Sequence, residues 1–299
     1  MSHSALQDLF APLKLGALNL AHRIVLDSPR ALPHAPLPRT GDTGTRTAAG
    51  GLTIYAVADE QCAEHPHPFA HGLASAGEVN GWLHATHAIH ERGGMVIARI
   101  GGCPAPADIR LDADQIDLAL DAYRTAAENA NDAGFDGVEL AATAGTLPDR
   151  LCRSAAAAQA STDVATTDCP VATEFLCDAL RAILAAWPAD RVGVCMTLPS
   201  TAEELRTLQR LLSPLLTGEL AWLHLHSAGS GHATCCKPFT SGVRLRHAAP
   251  LIVTGRWTAQ LAATAVRSGR IDAAGVHGDM AMPSDELVAA WRAQLGGSA

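Results

Sequence analysis

The chain has 299 residues, 48% hydrophobic and 17% charged, a balance that favours one large folded domain with a sizeable core over disorder. Aromatic residues are only 4%, so that core is built mainly from Ala, Val, Leu and Ile. A net charge of −8 without a basic cluster excludes nucleic acid as the main partner. The apolar runs are too short for a membrane span, and the N-terminal MSHSALQDLFAPLKLG lacks the pattern of a signal peptide, so a cytoplasmic protein is expected.

Short apolar runs alternate with longer amphipathic ones. Strands are expected at Arg23–Asp27, Leu52–Val57, Met95–Ile100, Gly137–Leu140, Val192–Leu198, Trp222–Ser227, Leu251–Thr254 and Ala273–Val276. Helices are expected at Glu78–Arg92, Asp114–Ala133, Val171–Trp187, Ala202–Leu216, Thr258–Ser268 and Ser284–Gln294, with a short helix within Leu147–Ala158. In the second helix, Ile116, Leu120, Tyr123, Ala127 and Ala130 form one apolar stripe. Asp112 or Asp114 can cap its start, and Gly134 follows its end. Eight strands, each followed by a helix or loop, read as parallel βα units that close at this length into a single-domain (β/α)₈ barrel over residues 1–299.

The eight cysteines include no C-x-x-C pair and read as reduced thiols. His226, His232, Cys235 and Cys236 have metal-ligating side chains, but their spacing matches no familiar site. The prolines of HPHPFAH place His65, His67 and His71 on an extended surface loop, and His84, His87 and His90 read as a solvated helix face. No metal site is assigned.

Several segments resemble one family in order along the chain. LFAPLKLGALNLAHRIVL, GEVNGWLHATHAIHERGG, YRTAAENANDAGFDGVEL, DRVGVCMTLPS, AWLHLHSAG and PLIVTGRWTAQLAATAVRSGRIDAAGV are similar to the old yellow enzymes, FMN-dependent NAD(P)H oxidoreductases and ene-reductases. The resemblance implies a TIM barrel with catalysis at the strand ends. It also places the family's substrate-holding His and Asn on Ala141 and Ala144, and its proton-donating Tyr on Thr146. An alanine offers no donor to a developing enolate oxygen. The flavin-facing Arg of the family falls on Cys195, its Gln on Arg99, its phosphate-cradling Gly-Gly on Gly255-Arg256, and its final Gly-Arg on His277-Gly278; Arg30 lies near the position that tunes the flavin. The loop after the third strand is shortened to about Gly101–Asp114, which reduces the cap over the barrel.

From these changes we expect a barrel that no longer performs ene-reduction and acts as a non-redox enzyme or a small-molecule-binding pseudoenzyme, with no cofactor. The alternative is a divergent FMN-dependent oxidoreductase acting on an activated alkene. The candidate catalytic residues are Asp27, Arg99, His226 and His277, which stand at strand ends and supply acid–base groups. The candidate cofactor contacts are Cys195, Gly255, Arg256 and Gly278. His224 reads as a residue of the core. A small-molecule ligand is the expected partner, with a protein partner or a second copy of the chain also compatible with exposed loops.

Overall fold

The computed structural model describes residues 8–28, 50–57, 73–102, 105, 109–151, 170–215, 220–227, 243, 248–277 and 284–296. It begins with a small antiparallel hairpin, β1 (Leu13–Leu15) and β2 (Leu18–Leu20). Eight parallel strands follow: β3 (Ile24–Ser28), β4 (Leu52–Ala56), β5 (Met95–Ile100), β6 (Gly137–Ala142), β7 (Val192–Thr197), β8 (Trp222–His226), β9 (Leu251–Thr254) and β10 (Ala273–His277). They close in sequence order, with β10 pairing back onto β3. The helices between and after them are α1 (Ala76–His90), α2 (Ala113–Asp132), α3 (Pro170–Leu184), α4 (Ala202–Leu215), α5 (Ala259–Arg267) and α6 (Ser284–Gly296). The (β/α)₈ barrel expected from the strand pattern is therefore present.

Local chemistry sets the helix boundaries. Ser75 accepts from the backbone of Glu78 while Glu78 reaches back, a capping box that starts α1. Asp112 and Gln115 make the same reciprocal arrangement at α2, so of the two candidate caps it is Asp112 that serves. Tyr123, Ala127 and Ala130 of α2 are buried as the stripe requires, and Ala119 and Ala126 join them. His84, His87 and His90 are exposed. The expected short helix begins at residues 147–151, and its remainder lies outside the described residues.

Two apolar cores follow from alternation along each strand. One set of side chains packs outward against the helices, with Tyr55, Trp82, Tyr123, Phe135 and Trp187 as its large members. The other fills the lower barrel, where Val25, Leu52, Ile54, Ile97, Trp222, Ile252 and Ala273 pack on Leu13, Leu15, Leu18 and Leu20 of the hairpin. The hairpin thus plugs the N-terminal end of the barrel, a feature absent from the sequence reading. Trp222 is fully buried inside, and the indole occupies the space a side chain at Gly193 would need: a Cβ there would meet Trp222 Nε1 at 2.1 Å. Gly193→Ala forces either the indole or the strand to move and is expected to destabilise the fold by about 1–3 kcal/mol, as overpacking does. Urea denaturation of the two proteins checks it, and equal midpoints would contradict this packing.

Candidate functional site

One step up each strand from the apolar floor, the barrel interior turns polar. Ile97 is followed on the same face by Arg99, Gly137 by Glu139, Gly193 by Cys195, Trp222 by His224, Ile252 by Thr254 and Val25 by Asp27. Asp27, Arg99, Glu139, Cys195, His224 and Thr254 are all buried.

Glu139 holds this layer together. Arg99 Nε donates to its Oε1 at 2.6 Å, Trp222 Nε1–H donates to its Oε2 at 3.1 Å, and His224 Nδ1 lies 3.2 Å from Oε1. The other ring nitrogen, His224 Nε2, is 2.8 Å from Thr254 Oγ1. Arg99 Nη2 also lies 3.2 Å from His224 Nδ1. That nitrogen cannot accept from Arg99 and donate to Glu139 at once, and the adjacent carboxylate decides for donation. Burial pulls the His224 imidazole down, but Cys195 and Glu139 beside it outweigh that and push it up to about 10. Burial raises the Glu139 carboxyl, yet Arg99, His224 and the hydrogen bonds hold it well below the usual carboxylate range. His224 is thus an imidazolium in the core, as well as the packed residue expected of it. A Cβ at Gly275 would meet Thr254 Oγ1 at 1.9 Å, so glycine there leaves room for the hydroxyl that His224 needs.

Above this layer the barrel opens. Asp27 is 1% exposed; Arg99 Nη2 stands 2.9 Å from its Oδ1. That is an ion pair by distance, yet among the described residues neither Asp27 oxygen receives a hydrogen bond of acceptable geometry. Oδ2 faces His226 Nε2 at 3.6 Å. The His226 and His277 rings meet edge to face with centroids 5.0 Å apart, and Asp27 and His277 are direct register partners. Burial raises the Asp27 carboxyl, but Arg99, His224 and His226 outweigh it and keep it ionised. Burial, opposed by Asp27 and reinforced by Arg99, His224 and His277, pushes His226 down to about 4. A neutral imidazole with 24% of its side chain exposed therefore stands beside a fixed carboxylate at the mouth.

The four expected catalytic residues come together here: Arg99 touches Asp27, Asp27 faces His226, and His226 packs on His277. Of the expected cofactor contacts, Cys195, Gly255 and Arg256 are among the described residues. Cys195 is fully buried near Glu139 and His224. The Gly255 backbone N–H donates to Gly275 O at 3.1 Å, and Arg256 is exposed beside the Thr258 cap of α5. Gly278, Arg30, His65, His67, His71, His232, Cys235 and Cys236 lie outside the described residues. Sequence reasoning missed Glu139, Thr254 and Trp222. A carboxylate in the middle of the apolar run GVEL was the available signal, since a buried acid requires partners. At the end of β6, Ala141 is buried, and the Ala144 N–H donates to Thr197 Oγ1 at 2.7 Å.

Comparison with known proteins places this site in context. No family model matches the chain. Putative 12-oxophytodienoate reductase 3 of Oryza sativa subsp. japonica is 28% identical over 221 residues, 62% of this chain and 57% of that protein. The chain thus matches less than two thirds of the length of such a relative. A longer alignment, to 12-oxophytodienoate reductase 7 of the same organism, is 24% identical and covers 96% of this chain and 88% of that one. Flavin oxidoreductase hxnT of Emericella nidulans is 24% identical over 64% of this chain and 60% of its own length. Among solved structures, morphinone reductase superposes with a TM-score of 0.73 at 21% identity, covering 90% of this chain and 85% of that one. TcOYE with pHBA gives 0.74 at 20% identity over 96% and 93%. The fold and these relatives make the chain similar to barrels of the flavin-oxidoreductase class. The chain is similar in sequence and in fold to the old yellow enzymes. The expectation of a protein without a cofactor is corrected by the same finding: a flavin oxidoreductase stands among the relatives and the family is flavin-dependent, which points to FMN. Among the described residues no helix is long and apolar enough to cross a membrane.

Two tests of the buried layer follow. Glu139→Gln leaves Arg99 and His224 facing a neutral amide, and losing one partner of a buried pair costs about 3–5 kcal/mol; denaturant titration measures it, and a loss under about 1 kcal/mol would contradict the layer. The His224 shift is upward, so its stabilisation is complete below pH 6.5 and fades as pH rises toward about 10. The Glu139 shift is downward, so its stabilisation is complete above pH 4.5 and fades in acid. The urea midpoint is expected to plateau between these values, and His224→Gln to flatten the alkaline decline while leaving the acid one.

Proposed function

We propose that the protein acts on a small molecule at the C-terminal mouth of its barrel, where Asp27, His226 and His277 handle the protons of the bound ligand. Arg99 is a positioning residue that fixes the Asp27 carboxylate from below. The observation that carries this reading is the convergence of a neutral, partly open imidazole on a buried, ionised carboxylate, at the barrel end where active sites of this fold lie. Solved neighbours supply the kind of ligand: morphinone reductase has been solved in complex with tetrahydroNAD, and TcOYE with pHBA.

Kinship supports FMN as the family's bound group. The phosphate end has a fitting place, since exposed Arg256 lies beside the N-terminus of α5, a cation next to a positive helix dipole. The ring end has no free buried cation in this layer, because Arg99 is committed to Asp27 and Glu139. FMN, when bound, supplies hydride transfer.

Two chemistries suit the proton-handling residues. One is non-redox acid–base catalysis, favoured by Ala141, Ala144 and Thr146 standing where the resemblance puts the reductases' His, Asn and Tyr. The other is FMN-dependent reduction of an activated alkene by NAD(P)H, favoured by the relatives.

The test is a visible absorption titration with FMN, repeated with NADPH and with pHBA as a probe. A bound flavin band bleached by NADPH favours the oxidoreductase chemistry, and its absence favours the acid–base one. In either case His226→Ala is expected to weaken pHBA binding about tenfold or more. Unchanged pHBA affinity in that variant and in His277→Ala would sink the proposed site.

A further inference from the structure

Three side chains at the mouth, from three non-consecutive strands, have the composition and spacing of a metal site. Asp27 on β3, His226 on β8 and His277 on β10 each offer one ligand atom, and these atoms all lie within 4.8 Å of one another. The closest defined approach, Asp27 Oδ2 to His226 Nε2, is 3.6 Å. That is too long for a hydrogen bond. It matches two ligands sharing one ion, since bonds of about 2.1 Å in a tetrahedron put their ends about 3.4 Å apart. Asp27 gives an independent sign. It is almost wholly buried, yet among the described residues neither of its oxygens receives a hydrogen bond, and buried charges are normally paired, hydrogen-bonded or metal-coordinating. Arg99 pairs with Oδ1 at 2.9 Å, and Oδ2 lies 3.6 Å from the Nε2 of both His224 below and His226 above, without a hydrogen bond to either.

A second cluster, Glu139, Cys195 and His224, also has ligand-type atoms close together. Glu139 and His224 are already engaged there by Arg99, Trp222 and Thr254, and all three residues are buried. The upper cluster differs because His226 and His277 are only partly buried and reachable from the mouth.

We propose that Asp27, His226 and His277 bind a single divalent cation of the zinc-to-iron class at the barrel mouth, leaving positions on the ion open to solvent or ligand. Two imidazoles and one carboxylate suit borderline ions such as Zn²⁺, Fe²⁺ and Co²⁺ over Mg²⁺ or Ca²⁺. The inference rests on the reading that the mouth is where the ligand is handled, and changes the role of Asp27, His226 and His277 there from proton transfer to holding the ion. With the ion present the histidines are its ligands, and the open positions are where a carbonyl or carboxylate of the small molecule would be held.

The test is calorimetric titration of the purified, chelator-treated chain with Zn²⁺, together with the visible spectrum of its Co²⁺ form. Wild type is expected to bind one ion at a site lost in His226→Ala and in His277→Ala. Removing only a supporting residue costs 10–100-fold in affinity, so removing a ligand is expected to cost at least about 100-fold. Both residues are only partly buried, and circular dichroism verifies that the variants fold. Replacing exposed His84 and His87 by Ala is expected to leave the site intact. The Co²⁺ form is expected to show d–d bands without a thiolate charge-transfer band, which separates this site from one using Cys235 and Cys236. Zn²⁺ binding unchanged in both mouth variants, or a thiolate band, would overturn the proposal. Absence of Zn²⁺ binding with pHBA affinity still dependent on His226 would overturn the cation alone. Zn²⁺ binding as described with pHBA indifferent to His226 would support the cation and remove the ligand reading.

Discussion

The guanidinium of Arg99, clamped between two carboxylates inside the barrel, is the constraint on which the site depends. Its Nε lies 2.6 Å from Glu139 and its Nη2 2.9 Å from Asp27. A cation removed from water to this degree costs several kcal/mol unless its partners are close and themselves satisfied. Glu139 is satisfied, because the Trp222 indole and the His224 imidazolium complete its coordination. Arg99 and His224 together balance Asp27 and Glu139, so the layer is near neutral as a set although each member is charged. This explains the residues around it that carry no chemistry. Gly193 leaves space for the indole and Gly275 for the Thr254 hydroxyl.

Much of the architecture was legible because parallel strands covered on both faces read as short, continuous apolar runs. Met95–Ile100 and Leu251–Thr254 were readable to the residue, and Gly137–Leu140 fell two residues short of the strand's end at Ala142. The β1–β2 hairpin was not legible. Its strands are three residues each, too short for an alternation to stand out, and its leucines acquire a purpose only once an open barrel end exists to be plugged.

The candidate site was legible in outline. Asp27, Arg99, His226 and His277 were readable because they are polar residues at strand ends, and a barrel brings such ends together whatever their separation in sequence. Glu139 was not, since one acid in an apolar run gives no indication of its partners; those lie 40 and 85 residues away along the chain. Cys195 shows the converse limit. The resemblance assigned it a position facing a cofactor, and the strand register sets it beside His224 in the buried polar layer, a neighbour that its own strand could not name.

These levels differ in how freely they can change. The apolar floor and the helix-facing core define the barrel and tolerate little alteration of volume. The loops and strand ends beyond the mouth answer mainly to the ligand. Between them, Asp27 belongs to both regions: one oxygen faces Arg99 and the other faces His224 and His226. Glu139 and Asp27 share the Arg99 guanidinium, one at Nε and the other at Nη2. The histidines at the mouth are therefore coupled, through two ion pairs, to a carboxylate that no ligand touches. The barrel fold, shared with morphinone reductase and TcOYE, accounts for the position of these strand ends. The Glu139–Arg99–Asp27 line accounts for the direction in which this chain's own residues present their charge.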